Sequence, residues 1–396
     1  MKRVLTLVLL ATLSIPVAAA APKAVPVQLG SIYSAPSGTE LFLQSGKNSI
    51  FIANINVKSA DIQVTAVDMS GNQLWQRTID SGADEVVTAT TLDAQGNIWL
   101  AGSAGLMPAV ETSTPITGID NPDSVIVETN PILRGDMKNL TLWKISTTGE
   151  LLGSYLAPMK NIPLVTAISA TNSGLAVIGT LESKPFVITA TTSGIFGKLI
   201  SIGTSKTEFN AVARNSDGTL SIFGSSAEIL AGKKVAGLRD GVLIKLSKTG
   251  SVTSLVRSSV LKGSRSWISG DSANLVSGPV ITGKSVETAI TKFTAAFAPT
   301  WTLRVPSTGA STTLSANGNS YLALVSRSAI TGISGWKPSQ PSLLVITFDS
   351  KGVMKAATAL PGLVNPISLN YSSARGVTGL ASAADGTVSI FTLISR

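Results

Sequence analysis

Short apolar runs rich in Val, Ile, Leu and Thr alternate along this chain with tight polar turns, and the alternation itself repeats. One hairpin pattern is an apolar run, a turn with Gly or Asn, and a second apolar run that often ends in Gly or Ser. It occurs at 40–54 (ELFLQSGKNSIFIAN), 86–102 (VVTATTLDAQGNIWLAG), 165–179, 209–224, 266–283, 312–326 and 378–395. A second hairpin pattern alternates with it, at 64–79 (VTAVDMSGNQLWQRTI), 140–156, 186–201, 242–256, 289–305 and 343–360. The turns read D-x-x-G-N, T-T-G, S-D-G and A-D-G, whose residues suit positive φ and local side-chain hydrogen bonds. No stretch beyond the first residues has a long helical period. Turn glycines 174 and 218 lie 44 residues apart. Four short strands in about 40–45 residues are the period of a propeller blade.

The pattern therefore predicts an all-β β-propeller. Seven copies of the first hairpin and six of the second leave the last blade incomplete. The β-like segment 24–34 (AVPVQLGSIYS) is expected to complete it and close the ring by pairing the chain ends. Closure removes the exposed sheet edges of an open array. Seven blades fit this count best. Six or eight stay open, because the copies at 266–283 and 289–305 are degenerate.

Residues 1–20 break the pattern. Lys2 and Arg3 precede an apolar run from Val4 to Ile15, then Pro16 and the small residues Ala18, Ala19 and Ala20. This is the layout of a secretory signal cleaved after Ala20. It leaves a single propeller domain, 21–396, exported to the extracellular space, cell wall or periplasm. The apolar run is short for a membrane span, and no other stretch is long enough.

Composition narrows the chemistry. The chain holds no cysteine and no histidine. Thiolate nucleophiles, disulfides, Ser-His-Asp catalysis and His-ligated zinc or haem are thereby excluded. No cofactor and no metal are expected. The formal net charge is +9, but beyond Lys2 and Arg3 the basic residues are scattered, with Lys233 and Lys234 the adjacent pair, so nucleic-acid binding is not expected. A monomer is the default.

The unit at 64–104 carries Asp68, Gly71, Asn72, Trp75, Gly82, Asp84, Glu85, Asp93, Gly96, Asn97, Trp99 and Gly102. At these spacings it resembles the SBBP-type repeat of bacterial β-propellers. Elsewhere only the turn glycine and the strand pattern persist. The resemblance implies the fold and little about activity.

Chain alternation also locates a working face. In an up-and-down blade the turns inside the two hairpins lie on one side of the disc. The links between hairpins and between blades lie on the other. The long segments, 104–139, 226–240, 329–341 and 360–376, all read as links. Loops on a rigid scaffold are where binding residues concentrate. Candidates on this face are Glu111, Asp120, Asp123 and Glu128 in the first segment, Lys233, Lys234 and Arg239 in the second, and Trp336 and Lys337 in the third. The acidic run falls far short of a calcium loop. Trp336 either anchors a ligand or tucks against its own blade. Trp75, Trp99, Trp143, Trp267 and Trp301 fall inside strand patterns and read as packing residues. Asp68, Asp93, Asp217, Asp349 and Asp385 sit at hairpin turns, the wrong side for a shared catalytic pocket. The primary expectation is an exported binding or scaffold propeller that meets a protein or cell-surface polymer through the link face. A polysaccharide hydrolase or lyase using paired carboxylates, and a structural envelope component, are the alternatives.

Overall fold

A computed structural model describes residues 23–56, 59–105 and 135–393. Among these residues the ordered elements are strands, with no helix. Six sheets are each built on successive strands in the antiparallel order of the sequence repeat, the sixth also taking in a parallel strand from the N-terminal side. The first comprises Leu41–Ser45, Asn48–Asn56, Ala60–Val67 and Gln73–Ile79. The fourth comprises Thr207–Arg214, Leu220–Ser226, Asp240–Leu246 and Val252–Ser258. A seventh sheet joins the chain ends: Leu363–Ser372, Gly376–Ala383 and Val388–Thr392 from the C-terminal side, and Ser31–Ser34 from the N-terminal side.

Each sheet buries both faces against its neighbours. Ile52, Ile62, Ile98 and Trp143 fill the space between sheets one and two. Comparable clusters lie between each successive pair, and the last, Phe42, Phe51 and Leu380, joins sheet seven to sheet one. The array thus closes on itself as a β-propeller. The innermost strands face one another around the axis, where Thr88, Thr90, Thr166, Leu43 and Ile168 line a cavity of about 280 Å³.

Three recurring devices tie sequence to fold. At many hairpin turns the first residue caps the turn with its own side chain. Asp68 Oδ1 accepts from Ser70 N at 2.8 Å and Asn72 N at 2.9 Å, and Asp349 Oδ1 accepts from Lys351 N and Val353 N, each at 2.9 Å. Ser146 and Ser247 do the same with a hydroxyl. These bonds favour the charged form and hold the Asp68 and Asp349 carboxyls below their usual range. A bulge in the inner strand is matched by a glycine on the next strand. A Cβ on Gly102 or Gly224 would lie 1.9 Å from the carbonyl oxygen of Val86 or Glu208. Side-chain amides then stitch sheets together: Asn54 Nδ2 donates to Val87 O and its Oδ1 accepts from Val87 N, while Asn210 Nδ2 donates to Trp267 O.

The chain ends depart from expectation. Segment 24–34 does not act as one strand. Val25–Leu29 runs parallel to Met354–Leu360 on the outer edge of sheet six, and only Ser31–Ser34 completes sheet seven. The segment 360–376 is not a link. Most of it is Leu363–Ser372, the innermost strand of sheet seven. Its alternation is interrupted by register shifts at Leu363/Asn365 and Pro366/Ser368, and Asn and Pro mask its apolar positions. The 378–395 hairpin is therefore the second and third strands of the sheet. Its turn, with Asp385, lies on the link side and not with the hairpin turns. Residues 1–22, with the expected leader, lie outside the described residues.

Candidate binding face

Antiparallel order sends alternate connections to opposite ends of the strands, so all links share one side. Among the described residues, a built-up part of that side surrounds sheets four and five. Link 227–239 is pinned from below: Leu230 is buried among Val212, Ile222 and Leu255, and Lys233 Nζ donates to Leu255 O at 2.6 Å. Its far end is organised by Asp240, which is 0% exposed. The Asp240 carboxylate accepts from Ala236 N at 3.0 Å and Gly237 N at 2.9 Å, and pairs with Arg257 Nη1 at 3.4 Å. Arg257 also donates to Glu228 O. Burial works against the Glu228 carboxylate, but hydrogen bonds from Thr207 and Thr204 and the charge of Lys206 hold its pKa below the usual value. The next link is stitched on by Leu238 N to Gly263 O at 2.8 Å and Arg265 N to Arg239 O at 2.9 Å.

This scaffold presents apolar side chains to solvent. Ile229 is 61% exposed, Leu238 69% and Leu261 79%. Lys234 and Lys262 stand exposed in the same two links. Three large aliphatic side chains are thus exposed on links held firmly to the sheets beneath.

The expected site residues divide. Lys233, Lys234 and Arg239 do belong to this face, with Lys233 engaged at its tip and Arg239 paired with Glu208 at 3.3 Å and Ser225 Oγ at 3.0 Å. Lys337 is exposed on another link, over sheet six. Trp336 is not available as an anchor. It is 6% exposed and packs with Ile330, Ile333 and Val27, because the 327–341 link folds down over the sheet edge and covers it. Glu111, Asp120, Asp123 and Glu128 lie outside the described residues. Among the packing tryptophans, Trp99, Trp143 and Trp267 are fully buried.

A second feature went unread in the sequence. Asp61, Asp80 and Glu85 bring carboxylate oxygens within 4.8 Å of one another. Asp80 and Glu85 line a cavity of about 680 Å³ between sheets one and two, with Arg77, Asn139 and Leu156. Glu85 is 1% exposed. Its Oε1 accepts from Ser81 N and Oγ, while Oε2 has no partner. Burial raises its pKa, its bonds from Ser81 oppose that, and the charges of Asp61 and Asp80 add to it. Of this cluster only Glu85 was visible in the repeat, and nothing in spacing joined it to Asp61 or Asp80.

The folded state therefore binds a proton at Glu85 more readily than the unfolded chain. Stability falls as pH rises from the ordinary glutamate range through the raised value. Glu85→Gln keeps an acceptor for Ser81 and adds an amide donor for the neighbouring carboxylates. At pH 7 its unfolding free energy is expected to exceed that of the parent by about 1 kcal/mol, with the gap closing toward pH 4. Denaturant titrations at both pH values check this, and a variant less stable at every pH contradicts it.

No family model matches the chain, and no curated protein matches it. Solved structures do. A candidate 6-phosphogluconolactonase from Bacteroides uniformis superposes with a TM-score of 0.51 at 11% identity, covering 89% of this chain and 93% of that one. A crystal structure of BBS1N in complex with ARL6DN superposes with a TM-score of 0.49 at 10% identity, covering 93% of this chain and 99% of that one. At such identities the likeness concerns the fold alone. No helix among the described residues is long and apolar enough to cross a membrane.

Proposed function

We propose that this chain is an exported, seven-bladed propeller built from SBBP-type repeats, and that it acts as a binding or scaffold module through its link face. The partner is a protein or cell-surface polymer. The observation that carries this reading is the exposed aliphatic group Ile229, Leu238 and Leu261, held on links that Asp240 and Leu230 fix to the sheet beneath. Preorganised loops lose little freedom on binding, so apolar burial there converts to affinity with a small ordering cost. Lys234 and Lys262 at its rim suit a partner with acidic groups near its apolar ones.

The test is co-sedimentation of the protein with an envelope fraction from its own source. Leu238→Glu with Leu261→Glu is expected to abolish retention. Ile195→Glu, an equally exposed aliphatic on the hairpin-turn side, is expected to leave it unchanged. Equal retention of all three proteins removes the link face from the interaction.

A further inference from the structure

The groove between sheets four and five holds a charge without a counter-charge. Arg265 lies in the link that leads into sheet five, and its guanidinium stacks over the Trp267 ring, 4.2 Å from the centroid. Its Nη2 donates to Thr291 Oγ1 at 3.3 Å. Its Nε is buried and has no partner. The neighbouring arginines are each paired: Arg239 with Glu208, Arg257 with Asp240, Arg304 with Glu287. Among the described residues no carboxylate stands within ion-pair distance of Arg265. Burial and the nearby charge of Arg304 pull its pKa down to about 10. It still carries its charge at neutral pH, and a charge withdrawn from water without compensation is costly.

Arg257 faces the same space. Its two terminal nitrogens go to Asp240 and to the Ser226 and Glu228 carbonyls, which leaves its Nε buried and unpartnered as well. Arg257 and Arg265 line one cavity of about 150 Å³ with Ser258, Thr291, Thr302 and Phe293. The two guanidinium groups come from different strands and line the cavity beside the mutually bonded hydroxyls of Thr291 and Thr302, and together they carry more donors than the planar edge of a carboxylate uses. They suit a group that accepts in several directions. The cavity is smaller than the roughly 300 Å³ of a small-molecule pocket, so it takes one group and not a whole nucleotide or sugar.

We propose that this cavity is a binding site for a single tetrahedral oxyanion group, phosphate or sulfate, held between Arg265 and Arg257. The site does not depend on the contact surface proposed above. The occupant is either a free ion or such a group carried on a larger molecule, and both present the same chemistry to the two arginines.

Calorimetric titration of the whole chain with inorganic phosphate and with sulfate, at ionic strength fixed with sodium chloride, tests the site. Saturable binding of at least one anion at one per chain is expected, together with a rise in the thermal midpoint that chloride does not produce. Glycerol phosphate serves as the third arm. Binding comparable to inorganic phosphate marks a group carried on a larger molecule, and exclusion marks a free ion. Arg265→Met is expected to weaken binding by about tenfold or more, and without the anion to be at least as stable as the parent, since the uncompensated charge is gone. Arg265→Lys keeps the charge without the fork and is expected to bind about tenfold more weakly. It decides the matter if the methionine variant does not fold. Absence of saturable phosphate or sulfate binding to the parent protein overturns the proposal. So does parental affinity in either variant that folds.

Discussion

Asp240→Ala is expected to lower the unfolding free energy by about 3–5 kcal/mol. The carboxylate is fully buried and carries three partners, Ala236 N, Gly237 N and Arg257. Its removal leaves the Arg257 charge, on a side chain only 7% exposed, without its counter-ion in a poorly hydrated place. It also leaves two backbone N–H groups without acceptors. Asp240→Asn restores one acceptor and no charge, so about half of the loss is expected to remain. The double variant Asp240→Ala with Arg257→Met is expected to recover much of the alanine cost, because the orphaned charge and not the missing pair is what destabilises. Urea titrations with a shared slope measure all three. A cost under about 1 kcal/mol for Asp240→Ala, the size of an exposed pair, contradicts the assignment. The effect reaches the proposed contact surface, since Leu238 and Gly263 are bonded directly beside the loop that Asp240 holds.

The repeat was legible because its signals are local. A capping Asp or Ser, a glycine with φ near 85° as at Gly71 and Gly218, and an apolar run on each side lie within a few residues of one another. Period and fold class follow from these alone. The last sheet was misread where local signals fail. Leu363–Ser372 has bulges that shift its alternation, and the turn at Asp385 resembles the hairpin turns although it joins the second and third strands. Trp336 was ambiguous for another reason: an indole in a Gly- and Pro-rich link reads as exposed, and only the parallel pairing of Val25–Pro26 with Ile333–Ser334 brings the apolar strand that covers it. The two charged clusters were invisible. Asp61, Asp80 and Glu85 come from two strands and the end of a link, and Arg257 and Arg265 from either side of a turn. Their meaning rests on which partners are missing, and a sequence does not record missing partners. Conversely, Lys233, Lys234 and Arg239 lie on the link side, as alternation implied, because their hairpins keep the regular strand order.

Deletion of residues 23–34 is expected to remove the ring's closure and to cost roughly 5 kcal/mol or more, from two apolar side chains at about 1.5–3 kcal/mol each and several ladder hydrogen bonds at about 1 kcal/mol each. Two edges open at once, since Gly30 carries the chain from sheet six to sheet seven. A Cβ at Gly30 would lie 2.6 Å from Leu360 Cδ2, so the crossing is tight. Without Ser31–Ser34 the outer edge of Val388–Thr392 is unpaired. Without Val25 and Val27 the cluster of Ile330, Ile333 and Trp336 loses its cover. An unpaired edge beside an uncovered apolar cluster is an aggregation template, so the truncated chain is expected to self-associate as well as to melt lower. Point variants separate the two contributions. Val27→Asp is expected to expose Trp336, seen as a red shift in its emission, while leaving sheet seven paired. Ile32→Pro is expected to break the pairing with Phe391 and leave the tryptophan environment unchanged. If the truncated chain stays monomeric and melts at the parental midpoint, the N-terminal strands decorate the ring and do not close it. If both point variants destabilise, one short segment secures two sheets, and stability then depends on the order in which the chain ends meet.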